Sequence, residues 1–466
     1  MTQAEQIGSG PAVYNDVLEM IGSTPMLRVT RIDTGPCELF LKLEHLNPGN
    51  SIKDRIAISM IEAAQESGQL KPGGHIIEAT AGNTGISLAL VGSLRGYRTT
   101  VVVPDKMSAG KISHLRAMGA TVVLTRSDVG KGHPEYYQDV AERLAKEDPA
   151  AIYVNQFSNP ANPTAHESGT GPEIWAQMNG EIDALVAGIG SAGTMTGLGR
   201  YLKAHNPSIE MILADPVGSI LTGLINDGVL HDPGTWLVEG IGEDFVPDIA
   251  ELDHIDHSIA VSDHDSFHAA RELLRSEGVL AGSSTGTLLS AALTYCREQT
   301  TPKRVVTFVC DHGAKYLSKM FNDHWMTDQG YLQRQQYGDL RDLIARRHDE
   351  HQDYTASPAT PLKQVIRTMH LNSISQMAVV DDANGIVGII DESDVLLVLT
   401  KDGDHGDTPA SEIMSSRLET LLPAASISEL LPIFRSDRVV IVADDHQYYG
   451  LITKIDFIHA LRSKLS

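Results

Sequence analysis

A lysine at the start of a predicted helix is well placed for covalent chemistry. Residues 38–44 (ELFLKLE) alternate apolar and polar side chains and predict a strand, and residues 56–64 have helical spacing. Lys53 falls in the first turn of that helix, which we expect Asn50 or Ser51 to cap. The helix dipole favours the neutral amine there, and a neutral amine can form a Schiff base with an aldehyde. The simpler alternative is a solvated surface lysine.

Two glycine-rich stretches could each hold an anion at the start of a helix. Residues 80–85 (TAGNTG) and 188–194 (GIGSAGT) each follow a predicted strand, and their small residues expose backbone N–H groups. The first suits a carboxylate, with Asn83 able to donate to a ring oxygen, although an ordinary capped turn would look the same. The second lacks the features of a Walker loop or a dinucleotide fingerprint, so a single phosphate monoester suits it best.

A third stretch of small residues, 282–286 (GSSTG), also opens a predicted helix. The hydroxyl group of Ser284 could cap that helix, which is the commoner role, or meet a heteroaromatic nitrogen. A nucleophilic lysine, a carboxylate loop, a phosphate loop and this serine form one joint pattern along the chain.

Short apolar runs and helical patterns alternate from residue 75 onward, and these elements must position the four stretches. Continuous apolar runs are typical of parallel strands, and their alternation with helices predicts open α/β sheets. Ligands in such sheets bind at the carboxyl ends of the strands. The predicted strands are 75–78, 99–103, 121–124, 151–154, 183–187, 210–214 and 304–309, and the predicted helices are 84–94, 111–118, 134–146, 165–178, 194–205, 266–277 and 285–297.

The pattern changes after Met320. Residues 321–357 are rich in polar side chains and predict a linker with one short amphipathic helix at 339–347. Beyond them, residues 376–394 align without gaps with residues 438–456. Each such unit is too small to bury enough apolar surface to be stable alone, so we expect the two to pair. We therefore predict a core at 1–320, a linker at 321–357 and a paired module at 358–466, with repeats at about 358–402 and 409–466.

Composition and charge exclude several classes of protein. A chain of 466 residues with 42% hydrophobic residues should form two or three globular domains. Its net charge of −23 argues against binding to nucleic acid or to an anionic membrane. The three cysteines lack the spacing of a disulfide framework or a zinc site. No apolar run approaches membrane-spanning length and the N-terminus has no signal-peptide pattern, so we expect a cytoplasmic protein.

Over residues 14–320 the sequence resembles the fold-type-II enzymes of pyridoxal 5′-phosphate (PLP), and among them the cystathionine β-synthase family. The C-terminal repeats resemble the tandem CBS domains of that family, and a core followed by this module is specific for it. The resemblance implies an α/β core with open, mostly parallel sheets, followed by the tandem module. It rests on residues 47–49 (NPG), 53–55 (KDR), Gly85, 96–97 (GY), 104–106 (PDK), 171–175 (GPEIW) and 238–245 (VEGIGEDF).

The resemblance implies a role for each residue of the predicted site. Lys53 would hold PLP through a Schiff base and act as general base and acid. The phosphate of PLP would bind at Gly190, Ser191, Ala192, Gly193 and Thr194, its ring oxygen at Asn83 and its pyridine nitrogen at Ser284. The substrate carboxylate would bind at Thr80, Gly82, Asn83 and Thr84, assisted by Gln156. No metal is implied.

The implied reaction is a β-replacement. A hydroxyl group at the pyridine nitrogen makes the ring a weaker electron sink than a carboxylate partner would, which suits loss of a β-leaving group. The hydroxyl group of L-serine would be replaced by the thiol of L-homocysteine, giving L-cystathionine and water, with H₂S production as a side activity. The alternatives are an O-acetylserine sulfhydrylase, which shares the cofactor stretches, and a noncatalytic adenine-nucleotide sensor.

Three positions depart from the family pattern. Ala79 and Ala81 stand where the family usually has Pro and Ser, which leaves O-acetyl-L-serine open as the donor substrate. Asn50 replaces a usual Gly just before the lysine helix, a change that we interpret as structural.

In the tandem module, Thr453 and Asp456 match the family's ribose-contacting Thr-x-x-Asp, whereas the first repeat has Asp391 and Asp394. We predict an adenosyl ligand (AMP, ATP or S-adenosylmethionine) in the second repeat, with a purely structural dimerising module as the alternative. The run before Tyr14 offers neither Cys nor His as a haem ligand, so we expect no haem. The family implies a homodimer, with a higher homo-oligomer as the alternative.

Overall fold

The computed structural model describes residues 13–80, 82–105, 107, 109–126, 128–130, 132–445 and 447–462. The chain divides into two compact units at the boundary between Phe321 and Asn322. None of the helices in the described residues is long and apolar enough to cross a membrane.

Among the residues that the structure describes, the first unit contains ten strands and ten α-helices. Its strands are β1 (Met26–Arg28), β2 (Glu38–Lys42), β3 (His75–Ala79), β4 (Arg98–Pro104), β5 (Thr121–Thr125), β6 (Ala151–Tyr153), β7 (Ala184–Ala187), β8 (Glu210–Pro216), β9 (His257–Val261) and β10 (Arg304–Phe308). Its helices are α1 (Lys53–Glu66), α2 (Asn83–Leu94), α3 (Ala109–Ala117), α4 (Tyr137–Glu147), α5 (Ala161–Ala165), α6 (Gly171–Gln177), α7 (Gly193–His205), α8 (Leu221–Asp227), α9 (Asp263–Glu277) and α10 (Ser283–Glu298), and α11 (Asp323–Asp328) begins the second unit.

Two mostly parallel sheets form the centre of the first unit, which confirms the predicted α/β class. The larger sheet has the order β1-β2-β10-β7-β8-β9, and only the pair β1–β2 is antiparallel. The smaller sheet has the order β5-β4-β3-β6 and is parallel throughout. Its central strands β3 and β4 are almost wholly buried, which explains their continuous apolar sequence.

The predicted strands are all present, with ends within two residues of those observed. The predicted helix at 165–178 is interrupted, because a π-helical turn (His166–Thr170) separates α5 from α6. Strands β1 and β9 and helix α8 were not predicted, and all three are short.

The predicted cap of the lysine helix is wrong. Ile52 occupies the N-cap position of α1 and makes no side-chain cap hydrogen bond. Asn50 instead donates from its side chain to the carbonyl of Pro48, while Ser51 forms a bridge with Asp311 and accepts the Lys53 N–H at 3.3 Å. Asn50 has φ +64°, a left-handed conformation that Gly adopts freely and Asn tolerates, which accounts for its place where the family has Gly.

The second unit contains two similar halves. The first half has β11 (Thr355–Ala356), β12 (Gln376–Val380) and β13 (Ile386–Asp391) with helices α12 (Leu362–Asn372), α13 (Glu392–Leu399) and α14 (Ala410–Ile413). The second half has β14 (Thr420–Leu421), β15 (Val440–Ala443) and β16 (Tyr448–Ile452) with helices α15 (Ile427–Arg435) and α16 (Lys454–Arg462). In each half the first strand pairs parallel with the second, which pairs antiparallel with the third.

The gapless alignment of the two repeats is out of register by one residue in one strand. Gly388 and Gly450 are equivalent, but Gly388 pairs with Val379 whereas Gly450 pairs with Val442, not with Ile441 as the alignment requires. The turn of the second hairpin is therefore one residue shorter than that of the first. The halves pack on each other through apolar side chains, among them Ala378, Val380, Ile441, Ala443 and Tyr448.

Part of the stretch predicted as a linker is packed inside the second unit. Leu340 and Ile344 are buried in the core of the second half, beside Leu430 and Val440. The amphipathic helix predicted at 339–347 is only a 3₁₀ turn (Leu340–Leu343).

Candidate functional site

A cavity of about 750 Å³ lies where several strands of the first unit end. Its walls include Ala79 and Ala187, the last residues of β3 and β7, and Phe308, the last residue of β10. This is the edge at which ligands bind in open α/β sheets. The cavity is lined by every residue predicted for the core site: Lys53, Thr80, Gly82, Asn83, Thr84, Gln156, Gly190, Ser191, Ala192, Gly193, Thr194 and Ser284.

Lys53 is the first residue of α1 and lines this cavity. Its amine forms no ion pair or hydrogen bond with any residue that the structure describes. Burial lowers the pKa of the amine, against the opposing charges of Cys310, Asp311 and Glu243. Desolvation therefore favours the neutral, nucleophilic form, where the sequence had pointed to the helix dipole.

The loop at residues 80–84 is open for an anion at the start of α2. Gly82 is at the N-cap position of α2, where no side-chain cap hydrogen bond forms, and the hydroxyl group of Thr80 accepts the N–H of Gly82 at 3.1 Å. Thr84 donates to the Gln156 side chain at 2.7 Å, which joins these two predicted substrate residues. Ala81 lies outside the described residues, so its effect on the donor substrate stays a prediction.

Asn83 is held in place from two sides. Its amide nitrogen donates to Asp311 at 2.9 Å, and its amide oxygen accepts from Lys315 at 2.6 Å. These two contacts fix the orientation of the side chain at the cavity wall. No local pattern in the sequence indicated either Asp311 or Lys315 as a partner of Asn83.

The stretch 188–194 forms a tight cradle at the start of α7. Ala192 has φ +69° at the N-cap position and no side chain caps the helix, which leaves the N–H groups exposed. A Cβ on Gly190 would lie 2.5 Å from the carbonyl oxygen of Gly240, so a larger residue would push two loops apart. A Cβ on Gly193 would overlap the side chain of Asn162.

The cradle contains no charged side chain. Ser191 accepts from Asn162 at 3.0 Å, and Thr194 lies 3.2 Å from the Nε2 atom of His166. Burial lowers the pKa of His166 far below its usual range, and Arg55 and Lys53 lower it further, so the imidazole is neutral. An anion here would be bound by backbone N–H groups, hydroxyl groups and the helix N-terminus.

Ser284 lies in the first turn of α10, but it does not cap the helix. Gly282 is the N-cap residue, and it makes no side-chain cap hydrogen bond. The buried hydroxyl group of Ser284 instead hydrogen-bonds with the thiol of Cys310, whose pKa burial raises to about 12. The capping role that was the commoner alternative is therefore wrong.

Several charged residues of the cavity wall were not predicted. Glu239 pairs with Lys111 and, at 2.6 Å, with Lys319. Burial would raise the pKa of Glu239, but these two lysines lower it below its usual value. Glu243 follows in the same loop, and no lysine or other donor among the described residues pairs with its carboxyl group. The stretch VEGIGEDF had drawn attention as a family marker, yet nothing in its pattern distinguished the two acids.

Comparisons with known proteins agree with this site. The family of pyridoxal-phosphate dependent enzymes matches residues 17–311, and the CBS domain matches residues 344–401 and 410–463. The cystathionine beta-synthase of Apis mellifera is 36% identical over 98% of this chain and 92% of its own length. The chain belongs to the cystathionine β-synthase family. That of Saccharomyces cerevisiae is 35% identical over 87% of this chain and 85% of its own length.

A solved structure is similar to the core of this family member. The hydrogen sulfide-producing enzyme from Fusobacterium nucleatum has 35% sequence identity and a TM-score of 0.61, and the match covers 66% of this chain and all of that chain. The predicted family, fold class and PLP dependence are thus confirmed.

The residues of the cavity fit PLP. The family requires this cofactor, and the cavity offers an unpaired amine together with an uncapped helix start where added Cβ atoms would collide. Among the described residues no cluster of His, Cys, Asp or Glu could hold a metal ion. The haem prediction rests on residues 1–12, which lie outside the described part of the chain.

The residues predicted to contact a ribose lie at helix starts in the second unit. Asp456 accepts from the backbone N–H of Thr453 at 2.7 Å and from its hydroxyl group at 2.6 Å. In the first repeat Asp391 caps α13, and Asp394 accepts the N–H of Asp391 at 3.0 Å. Burial raises the pKa of Asp394, and the charge of Asp391 adds to this effect.

Proposed function

We propose that this chain catalyses the condensation of L-serine with L-homocysteine to L-cystathionine and water. The observation that carries the proposal is the cavity in which an unpaired Lys53 faces both a carboxylate loop and a phosphate cradle. An enzyme of this type contributes to transsulfuration and so to cysteine biosynthesis. We further propose that the protein acts in the cytoplasm, because its net charge of −23 disfavours binding to an anionic membrane.

Lys53 is the residue that would join the cofactor and move protons at the substrate Cα atom. When bound, PLP supplies an electrophilic aldehyde and an electron sink for the pair released at that carbon. Burial lowers the pKa of the Lys53 amine and so favours its neutral form, which can accept the Cα proton and later return it.

The remaining predicted residues would bind and orient. The N–H groups and hydroxyl groups of 190–194 would hold the phosphate, Asn83 the ring oxygen and Ser284 the pyridine nitrogen. Thr80, Gly82, Asn83 and Thr84 would hold the substrate carboxylate. The hydrogen bond from Thr84 fixes Gln156 beside that loop.

One steady-state assay tests the function. The purified protein with PLP is given L-serine or O-acetyl-L-serine, each with L-homocysteine or sulfide, and cystathionine and cysteine are measured. We expect cystathionine from serine and homocysteine as the main product. Cysteine formed from O-acetylserine and sulfide, with little cystathionine from any pair, would identify an O-acetylserine sulfhydrylase instead.

A noncatalytic nucleotide sensor makes a different prediction for the same protein. It would remain colourless with PLP and show no borohydride-trapped adduct at Lys53. The similarity of the core to a hydrogen sulfide-producing enzyme adds one further arm to the assay, in which cysteine replaces serine as the donor and H₂S is measured.

We also propose that the second repeat binds an adenosyl ligand such as AMP, ATP or S-adenosylmethionine. Asp456 has one carboxylate oxygen bound by Thr453, which orients the other toward a ribose. In the first repeat two carboxylates lie together, and their charge disfavours a phosphate nearby.

Calorimetry with the three ligands tests this second site. Asp456→Asn should weaken binding by about 10- to 100-fold, because hydrogen bonds to a charged group are lost. Asp394→Asn is the matched control from the first repeat and should change binding by less than about two-fold. No heat with any ligand would favour a purely structural module.

The assembly is proposed from the family alone. We expect a homodimer, and light scattering on the purified protein would distinguish it from a larger homo-oligomer.

A further inference from the structure

Glu243 is a carboxyl group of the cavity with no hydrogen-bond or ion-pair partner among the described residues. The ionisable side chains in the cavity wall are Lys53, Lys111, Tyr137, Glu239, Glu243, Asp244, Cys310, Tyr316 and Lys319. Of the three acids, Glu239 is held by two lysines and Asp244 is exposed. No donor among the described residues lies within hydrogen-bond distance of the Glu243 carboxyl group. Glu243 is thus available to a ligand in the cavity.

The backbone around Glu243 is fixed by neighbouring loops. The N–H of Gly242 donates to Ile189 at 2.8 Å, and the N–H of Glu243 donates to the hydroxyl group of Ser219 at 3.1 Å. The carbonyl of Glu243 accepts from Ile220 at 3.1 Å. A Cβ built on Gly190 would lie 3.9 Å from the Oε1 atom of Glu243, which places the carboxyl group beside the start of the cradle.

The surroundings of Glu243 favour its neutral form. Burial raises its pKa well above the usual range, and the charges of Asp244 and Asp215 raise it further, whereas Lys53 lowers it. The other titratable groups that face it are Tyr136 and Tyr137, whose hydroxyl groups are neutral because burial raises their pKa values too. These surroundings favour the protonated carboxyl group, which can donate its proton to a ligand in the cavity.

We propose that Glu243 is a catalytic acid that protonates the departing hydroxyl group of L-serine. The inference rests on the function proposed above and goes beyond it by naming the residue that supplies a proton to the leaving group. The bond between Cβ and oxygen breaks, the oxygen takes the electron pair and the proton of Glu243, and water leaves. The resulting carboxylate then takes the proton of the homocysteine thiol while sulfur bonds to Cβ, which restores Glu243. The net change is serine plus homocysteine to cystathionine plus water, with no oxidant or reductant.

This role would make the cavity suited to serine. Hydroxide is a poor leaving group and needs a proton, whereas acetate leaves from O-acetylserine as a stable anion. The acid at position 243 is therefore needed for one donor and dispensable for the other. This difference separates catalysis by Glu243 from a general effect on the cavity.

The test compares the two donors in wild type and in Glu243→Gln, using the PLP-loaded full chain. In a ping-pong reaction, kcat/KM for the donor reports only the half-reaction in which the leaving group departs. We expect kcat/KM for serine to fall by about 100-fold or more and that for O-acetylserine to change by less than about three-fold. Glu243→Asp should recover part of the serine reaction, and Asp253→Asn, which removes an exposed acid of the same unit, should behave as wild type.

A second measurement does not depend on turnover. Infrared difference spectra of wild type against Glu243→Gln at neutral pH should contain the carbonyl band of a protonated carboxylic acid, and circular dichroism reports whether the variant is folded. Equal losses with both donors, an unchanged serine reaction, or a carboxylate band alone would overturn the assignment. If wild type makes no cystathionine from either donor, the proposed function is wrong. If wild type is active and Glu243→Gln has the same kcat/KM for serine, only this inference is wrong.

Discussion

Two basic residues, Lys53 and Arg55, stand two positions apart on α1, and their surroundings differ sharply. Lys53 faces the cavity with no described ion-pair partner, whereas Arg55 donates to Glu44 at 2.7 and 2.9 Å and to Glu173 at 2.8 and 2.7 Å. Burial would lower the pKa of Arg55, but Glu173 and Glu44 raise it. Arg55 keeps its charge because two carboxylates bind it, whereas burial favours the neutral form of Lys53.

The difference separates a structural charge from a chemical one. Around Arg55, Glu44 also accepts from Thr24 at 2.6 Å and from Asn47 at 2.9 Å, and Glu173 accepts from Lys42 at 2.7 Å. Such a network fixes β2, α1 and α6 relative to one another. Lys53 has no such network and therefore does not hold elements together in this way. We infer that its position in the cavity serves its reactivity.

The largest effect is expected from Lys53→Ala. With the amine removed, the rate of cystathionine formation should fall by about 10⁴-fold or more, because both the bond to the cofactor and the proton transfers at Cα are lost. In the absence of PLP the free energy of unfolding should stay the same or rise by up to about 1 kcal/mol, since an unpaired buried amine is removed. Steady-state assays and urea unfolding measure the two quantities, and Lys146→Ala on the surface of α4 is the control.

Glu44→Gln should produce the opposite pattern. Removing one carboxylate leaves Arg55 partly unpaired in the interior, which should lower the free energy of unfolding by about 3–5 kcal/mol. Activity per folded molecule should fall far less than in Lys53→Ala. Urea unfolding gives the stability, with Glu66→Gln at the exposed end of α1 as the control. An unchanged stability would mean that the network around Arg55 is not structural.

Lowering the pH should weaken the same network, because Glu173 becomes protonated and the free energy of unfolding then falls. Burial would raise the pKa of this carboxyl group, but Arg55 and Lys42 lower it to about 2 from its usual 4.5. Because the folded-state pKa is depressed, the stabilisation is present above pH 4.5 and is lost as the pH falls toward 2. Wild type should lose roughly 2 kcal/mol over this range, and Glu173→Gln should show a flatter dependence after a lower starting stability. Unfolding curves at several pH values test this, and equal slopes would contradict it.

The sequence singled out Lys53, but it did not indicate the network around Arg55. Lys53 was found because its position at a helix start, joined to the glycine-rich stretches, forms a local pattern. Glu44, Glu173 and Arg55 lie far apart along the chain, and their pairing is a tertiary contact with no local signature. Glu243 was missed for the same reason, since its isolation depends on loops at 189 and 219.

Parallel strands were predicted almost to the residue because continuous apolar runs report burial on both faces. The helix cap was wrong because Ser51 and Asn50 serve the turn before α1 instead. The segment around Leu340 and Ile344 was predicted as a linker, because one short amphipathic pattern among polar residues does not show what its apolar side chains pack against.

The smallest effect is expected at Asp54, which lies between Lys53 and Arg55 in the sequence. This buried carboxyl group accepts from the N–H of Gly49 and the hydroxyl group of Ser87, both at 2.5 Å, yet burial still raises its pKa to about 6. Ser87→Ala removes one of the bonds that favour the ionised form, so the pKa should rise further and the free energy of unfolding should fall by about 1 kcal/mol. Because the serine stabilises the carboxylate, the loss should be greater at about pH 8 than at about pH 5. Unfolding measured at both pH values tests this, with Ser93→Ala on the exposed side of α2 as the control. A loss that is the same at both pH values would show that Asp54 does not titrate between them, which would contradict the raised pKa of this carboxyl group.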